Sequence, residues 1–191
     1  MTTKKYTFFL LTGEPGVGKT TLTKKLSTEI SLKGIQTTGF YTEEVRKGRS
    51  REGFDVVTLD GTRGRLARDQ SLLNEPIKYK VGKYGVLIQE FEKVALPSLI
   101  KPDTTQPHLL VIDEIGKMEF FSDPFKTAIR TIFSPSSNCV VLATIPVRRS
   151  DQLIESIRNH NLAKVWMVTR ENRNTIHNEI LKEINTTLNF M

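Results

Sequence analysis

Gly13-Glu14-Pro15-Gly16-Val17-Gly18-Lys19-Thr20 follows the apolar run Phe8-Phe9-Leu10-Leu11 and precedes a helix-forming stretch from Thr21 to Lys33. This G-x-x-x-x-G-K-[ST] spacing, set between a strand and a helix, constrains the fold more than any other feature of the chain. Its glycines let the backbone curl until consecutive N–H groups point inward at a phosphate. The helix N-terminus adds the positive end of its dipole. Lys19 is placed to reach the β- and γ-phosphates, and the Thr20 hydroxyl to complete a magnesium shell.

The rest of the chain alternates strand-like and helix-like runs, which predicts a mostly parallel α/β sheet covered on both faces. Strands are expected at Thr7–Thr12, His108–Asp113, Cys139–Ile145 and Lys164–Thr169. Helices are expected at Gln89–Ile100, at Asp123–Phe133 behind a Ser122 or Asp123 cap, to Asn159 behind Ser150-Asp151, and from Asn172 or Asn174 to Leu188. Gly39–Val45 and Gly53–Leu59 flank the basic tip Arg46–Arg51 and read as an antiparallel hairpin added to the parallel core. Asp60-Gly61 and Arg63-Gly64 read as turns, and residues 68–85 as a polar loop. With 191 residues and no strong boundary, residues 1–191 form a single domain.

A second motif turns a phosphate holder into a reaction. Leu109-Leu110-Val111-Ile112-Asp113-Glu114 is a buried-strand pattern ending in two acids, and open α/β sheets bind ligands at that edge. Asp113 is expected to hold magnesium with Thr20. Glu114, one residue further, is placed to orient and partly deprotonate an attacking water, which selects hydrolysis. A salt-bridged acid at the sheet edge is the alternative for Glu114. Lys117 is a candidate for stabilising charge on the phosphoryl group, against a solvated lysine. Thr144, near the end of a neighbouring strand, either senses the γ-phosphate or bonds to backbone. Arg173, between the last strand and helix, either flanks the base or is a solvated side chain beside capping asparagines. Arg148 and Arg149 are considered as arginine fingers in cis.

Composition adds exclusions. Single Cys139 forms no internal disulfide, lies among apolar neighbours and reads as a buried thiol in a reducing, cytoplasmic setting. The three histidines lack metal spacing and read as structural, and the pair Phe120-Phe121 as core. No run approaches membrane-spanning length, so no membrane partner is expected. The excess of 28 Lys+Arg over 21 Asp+Glu suits polyanionic ligands. Two rivals stay open: a nucleotide or nucleoside kinase with Arg65–Lys83 as its lid, and an ATP-dependent nucleic-acid-binding module using Arg46–Arg51. The expected chain is a monomer with nucleic acid possible but not favoured.

Taken together, the motifs resemble the cancer-related nucleoside triphosphatases. The resemblance runs through Gly13–Thr20, Gly39-Phe40-Tyr41-Thr42-Glu43-Glu44-Val45-Arg46, Gly53-Phe54-Asp55-Val56-Val57 and Arg63-Gly64. It continues through Val81-Gly82-Lys83-Tyr84, Val111–Glu119, Thr144-Ile145-Pro146-Val147 and Glu171-Asn172-Arg173-Asn174, so it covers essentially the whole chain. It implies a P-loop NTPase three-layer α/β/α sandwich and Mg2+-dependent hydrolysis of ATP, GTP, CTP, UTP and TTP to diphosphate, with weaker action on diphosphates. It also implies nucleotide contacts at Gly13, Glu14, Pro15, Gly16, Val17, Gly18, Lys19 and Thr20 and along Leu109–Gly116, which includes Asp113, Glu114, Ile115 and Gly116. Two departures stand out. A single Gly48 occupies the basic tip where the family tends to carry two glycines, and Arg148-Arg149-Ser150 replaces a proline and lysine-glycine pair.

Overall fold

The computed structural model describes residues 5–102, 105–149 and 151–189. In chain order its elements are β1 (Phe8–Thr12), α1 (Lys19–Leu32), β2 (Gln36–Lys47), β3 (Ser50–Thr58), β4 (Arg63–Asp69), β5 (Lys80–Val81) and β6 (Tyr84–Val86). Then follow α2 (Ile88–Ser98), β7 (His108–Ile112), α3 (Asp123–Ile132), β8 (Val140–Thr144), α4 (Gln152–Arg158), β9 (Ala163–Met167) and α5 (Ile176–Asn189). Among the described residues the strands form one sheet in the order β5-β6-β4-β3-β2-β7-β8-β1-β9.

The run β2-β7-β8-β1-β9 is parallel. Its central strands β1, β7 and β8 are buried at every position and mostly apolar, as both faces are covered. Phe8 and Leu10 of β1, Leu110 and Ile112 of β7, and Val141 and Ala143 of β8 join Phe91 of α2, Phe125 and Ile129 of α3, and Ile154 and Ile157 of α4 in one core. The alternate residues Phe9, Leu11, Leu109, Val111, Val140 and Leu142 join Leu22, Leu26 and Ile30 of α1 and Ile180, Ile184 and Leu188 of α5 in the other. Period-two alternation thus builds the expected three layers.

The antiparallel part is larger than a hairpin. β2 pairs in parallel with β7 over Gln36–Phe40 and antiparallel with β3 over Phe40–Lys47, and β4, β6 and β5 extend the wing. Arg63-Gly64, read as a turn, lies inside β4. A Cβ on Gly64 would sit 2.8 Å from the Val94 side chain and 3.3 Å from the Glu90 carbonyl, so this glycine marks close approach of α2. The stretch 68–85, read as loop, carries β5, β6 and a 3-10 turn at Gln70–Leu72. Short, half-exposed strands leave too few apolar residues for a period to register.

Helix ends also differ in places. α2 stops at Ser98, where the Leu99 N–H turns to the Leu96 carbonyl at 3.2 Å, and it carries Pro97 in its last turn. α5 starts at Ile176, since Asn172 is used in the preceding turn, its Oδ1 accepting the Thr169 N–H at 2.8 Å. The Ser122 hydroxyl caps α3 by accepting the Phe125 N–H at 3.1 Å, and Asp151 caps α4 through the Leu153 N–H at 2.8 Å. Ser150 lies outside the described residues. Cys139 is half-buried rather than buried.

Candidate active site

The C-terminal edges of β1, β7 and β8 lie side by side, and the loops leaving them meet there. Gly13 opens the phosphate loop where a Cβ would fall 2.3 Å from the Val168 carbonyl oxygen, so only glycine passes β9's exit. Gly18 caps α1 in the left-handed region (φ 105°, ψ 22°), and no side chain caps the helix. The first-turn N–H groups of α1 are therefore left to a loop ligand. The Lys19 ammonium donates to the carbonyls of Gly13 at 2.8 Å and Glu14 at 3.2 Å, which holds it across the loop. Glu14, Pro15 and Gly16 are exposed, and Val17 is buried beneath them.

Asp113, 1% exposed, stands at the end of β7 with its N–H on the Phe40 carbonyl at 3.1 Å. The Thr144 hydroxyl donates to Asp113 Oδ1, so it serves a carboxylate rather than backbone. The Thr20 hydroxyl and the Thr42 backbone lie near the Asp113 carboxyl and favour its charged form. Burial pushes this carboxyl up, against those groups and the Lys19 charge. Asp113 Oδ2 is buried with no hydrogen-bond partner. An orphaned buried carboxylate oxygen beside a threonine hydroxyl is what a hard cation requires. Among the described residues no group of three or more His, Cys, Asp or Glu is arranged to hold a metal. The site therefore fits magnesium completed by phosphate oxygens and water, and not a cage of protein ligands.

Glu114 follows directly, partly open to solvent. Burial, then the adjacent Asp113 charge, push its carboxyl up, and Lys19 opposes them. A carboxylate raised in this way is a better proton acceptor than a solvated one. Ile115 and Gly116 complete the turn, with the Ile115 N–H on the Thr144 carbonyl at 2.9 Å. This bond locks the β7 exit to β8.

Arg173 reaches the loop from the other side, its Nη1 donating to the Val17 carbonyl at 3.2 Å. It lines a cleft of about 550 Å³ with Gly18, Thr21, Leu22, Lys25, Asn174 and His177. Lys117, Arg148 and Arg149 are exposed, and Arg149 pairs loosely with Glu155 at 3.8 Å. None of the three hydrogen-bonds or pairs with the Asp113 carboxyl.

Two groups, the half-buried Arg158 and the buried Glu119, escaped the sequence reading. Arg158 of α4 donates to the Pro146 carbonyl and, at 3.5 Å, to the Thr12 hydroxyl, bracing the root of the phosphate loop. Nothing local in the sequence marks it except Glu155 three residues earlier. Glu119, 5% exposed, was quoted only as part of a motif. Its signal was an acid set between Met118 and Phe120-Phe121.

The NTPase family model matches residues 8–181. The chain is 48% identical over 179 residues to the cancer-related nucleoside-triphosphatase of Homo sapiens, covering 90% of this chain and 93% of that protein. It is 43% identical over 172 residues to nucleoside-triphosphatase THEP1 of Thermotoga maritima, covering 90% and 92%. The crystal structure of THEP1 from Aquifex aeolicus matches with a TM-score of 0.80 at 38% identity, over 92% of this chain and 98% of that one. The solution structure of the human protein matches with a TM-score of 0.79 at 45% identity, over 94% and 98%. Identity of this order along nearly the whole length, on the same fold, makes the chain a member of the NTPase family, with the cancer-related nucleoside-triphosphatases and the THEP1 proteins.

Proposed function

We propose that the protein hydrolyses nucleoside 5'-triphosphates to diphosphate and phosphate, with magnesium and with little selectivity for the base. The observation that carries this reading is the meeting of Gly13–Thr20, Asp113 and Glu114 at one sheet edge. The loop N–H groups and Lys19 bind and orient the phosphates. Thr20 and Asp113 would hold the cation, with Thr144 fixing the Asp113 carboxyl. Magnesium, when bound, neutralises charge developing on the β- and γ-oxygens. Glu114 orients the water and accepts its proton as the bond from the water oxygen to the γ-phosphorus forms and the bond from that phosphorus to the β–γ bridging oxygen breaks, the bridging oxygen leaving with the diphosphate.

The Arg173 cleft takes the base. Its polar lining comes from Thr21, Lys25, Asn174 and His177, mostly flexible or two-way hydrogen-bonding groups, which supports low selectivity. Weaker action on diphosphates follows from loss of the terminal phosphoryl group that Glu114 serves.

The alternatives draw less support. The stretch Arg65–Lys83, the candidate lid of a kinase, is anchored in the sheet near both ends, through β4 and β5. In the basic tip, Arg46 and Arg51 are paired with Glu44 at 2.7 and 2.5 Å. Phosphate release from each triphosphate, with magnesium and no acceptor, tests the reading. Steady release that a chelator abolishes is expected. No free phosphate from triphosphate alone, with the phosphoryl group instead carried onto an added nucleoside or nucleotide acceptor, would overturn it in favour of a kinase.

A further inference from the structure

Glu119 opens the 3-10 turn Glu119–Phe121, six residues beyond Asp113, and is almost wholly buried. Its carboxyl folds back over the turn leaving β7. An ideal Cβ on Gly116 would lie 3.0 Å from Glu119 Oε2 and 3.3 Å from Glu114 Oε1. The tips of both side chains therefore crowd one glycine, no further from each other than those two distances combined. The backbone N–H groups of Gly116 and of Glu119 itself lie near the Glu119 carboxyl and favour its charged form, against the stronger effect of burial. The Gly116 carbonyl accepts the Phe120 N–H at 3.0 Å. Glu114 and Glu119 are thus fastened to opposite ends of one closed turn.

α2 and α3 pack against this turn. α2 brings Glu92, which accepts the Ser122 hydroxyl at 2.6 Å. α3 brings Lys126, whose ammonium sits 4.9 Å over the Phe120 ring and pairs with Asp151 at 2.9 Å. Lys117, on the turn itself, is exposed. The charges acting on Glu119 are those of Glu114 and Asp113, both acidic.

We propose that Glu119 is a positioning residue for Glu114, its buried carboxyl wedged against Gly116 so that the water-orienting side chain keeps one place. This rests on the reading of Glu114 given above. Two ionised carboxylates cannot share such a space cheaply. Burial, then the Glu114 charge, push Glu119 up to about 8, so it holds its proton at neutral pH. A neutral Glu119 places no second charge against ionisation of Glu114, the group that takes the proton from water. Above that pH a second negative charge appears behind Glu114, which repels the triphosphate and disturbs the carboxylate.

The test is a set of pH profiles of kcat and kcat/KM for the wild type, E119Q, E119A, G116A and E114Q, with thermal unfolding of each. The wild type is expected to lose activity above about pH 8. In E119Q that alkaline limb disappears, and E119Q loses less kcat at pH 7 than E119A. E119A removes the wedge, and the G116A methyl displaces both carboxyls, so each lowers kcat about tenfold to a hundredfold, with a smaller effect on KM. G116A leaves Glu119 in place, so it reports even where E119A folds poorly. Unfolding gives an independent reading. The folded-state value lies above the ordinary 4.5, so the stabilisation held below that value is lost as pH rises toward about 8. The wild type should therefore lose stability relative to E119Q across that window.

An E119Q profile superimposable on the wild type, or an E119Q that falls as far as E119A at pH 7, overturns the proposal. E114Q separates the two claims. Wild-type turnover in E114Q sinks the reading of Glu114, whereas a dead E114Q beside an unaltered E119Q profile sinks only the positioning role.

Discussion

Thr144 shows how much one hydroxyl can decide. It is fully buried and donates to Asp113 Oδ1, leaving Oδ2 as the free oxygen of that carboxylate. Thr144→Val keeps the volume but strips a buried acceptor of its donor, and partners of this kind are worth about tenfold to a hundredfold in metal affinity or activity. The expected outcome is a higher magnesium requirement, read as half-saturation in a magnesium titration of turnover. An unchanged titration would show that the hydroxyl does not tune the cation site. Asp113 and Glu114 were legible in the sequence because an apolar strand announces its own end. The Thr144 bond was not, since which of two polar groups a strand-end hydroxyl reaches depends on the neighbouring strand. Glu119 and Arg158 were hidden for the same reason: each acts on segments brought near only by the sheet.

At the scale of elements, the wing of β3, β4, β5 and β6 contrasts with the parallel core. Its strands are held by ion pairs as much as by apolar packing. Asp55, 7% exposed, accepts from Arg63 at 2.8 Å and from Arg68 at 2.5 Å. Arg63 also bonds Glu43, which pairs with Lys24 of α1 at 2.9 Å, so the network ties the wing to the helix behind the phosphate loop. Asp55→Ala leaves the half-enclosed Arg68 guanidinium without its carboxylate, and breaking such a buried pair costs about 3 kcal/mol. The Arg65–Glu90 pair is far more exposed, at 52% and 36%, so Glu90→Ala should cost below about 1 kcal/mol. Urea denaturation of the two variants at pH 7 checks the order, and equal losses would contradict it. The wing is also where the sequence misled. Core strands such as Phe8–Thr12 are buried at every position, whereas Arg63–Asp69 shows only Leu66 and Ala67 among charges. Its glycines look like turns because close packing of α2 and of turns in sequence space leave the same letter.

Across the whole molecule, segments distant in sequence are assembled by parallel strand order: β7, β8 and β1 lie adjacent although the chain visits β1 first and β8 near its end. That order was foreseeable only in outline, from alternating strand and helix patterns, because periodicity fixes elements and not their neighbours. The net charge of +7 acts at this scale too. A basic surface speeds capture of a polyanionic substrate, so raising salt from roughly 0.05 to 0.3 M should lower kcat/KM and leave kcat nearly constant. A matching fall in kcat would place the salt effect in the chemical step. The central claim is that this assembly performs hydrolysis at Glu114, and Glu114→Gln tests it most directly, with nucleotide affinity and single-turnover phosphate release measured on the same sample. The account expects binding close to wild type and release slowed by about 10²- to 10⁴-fold. Release at the wild-type rate, with binding intact, would contradict it.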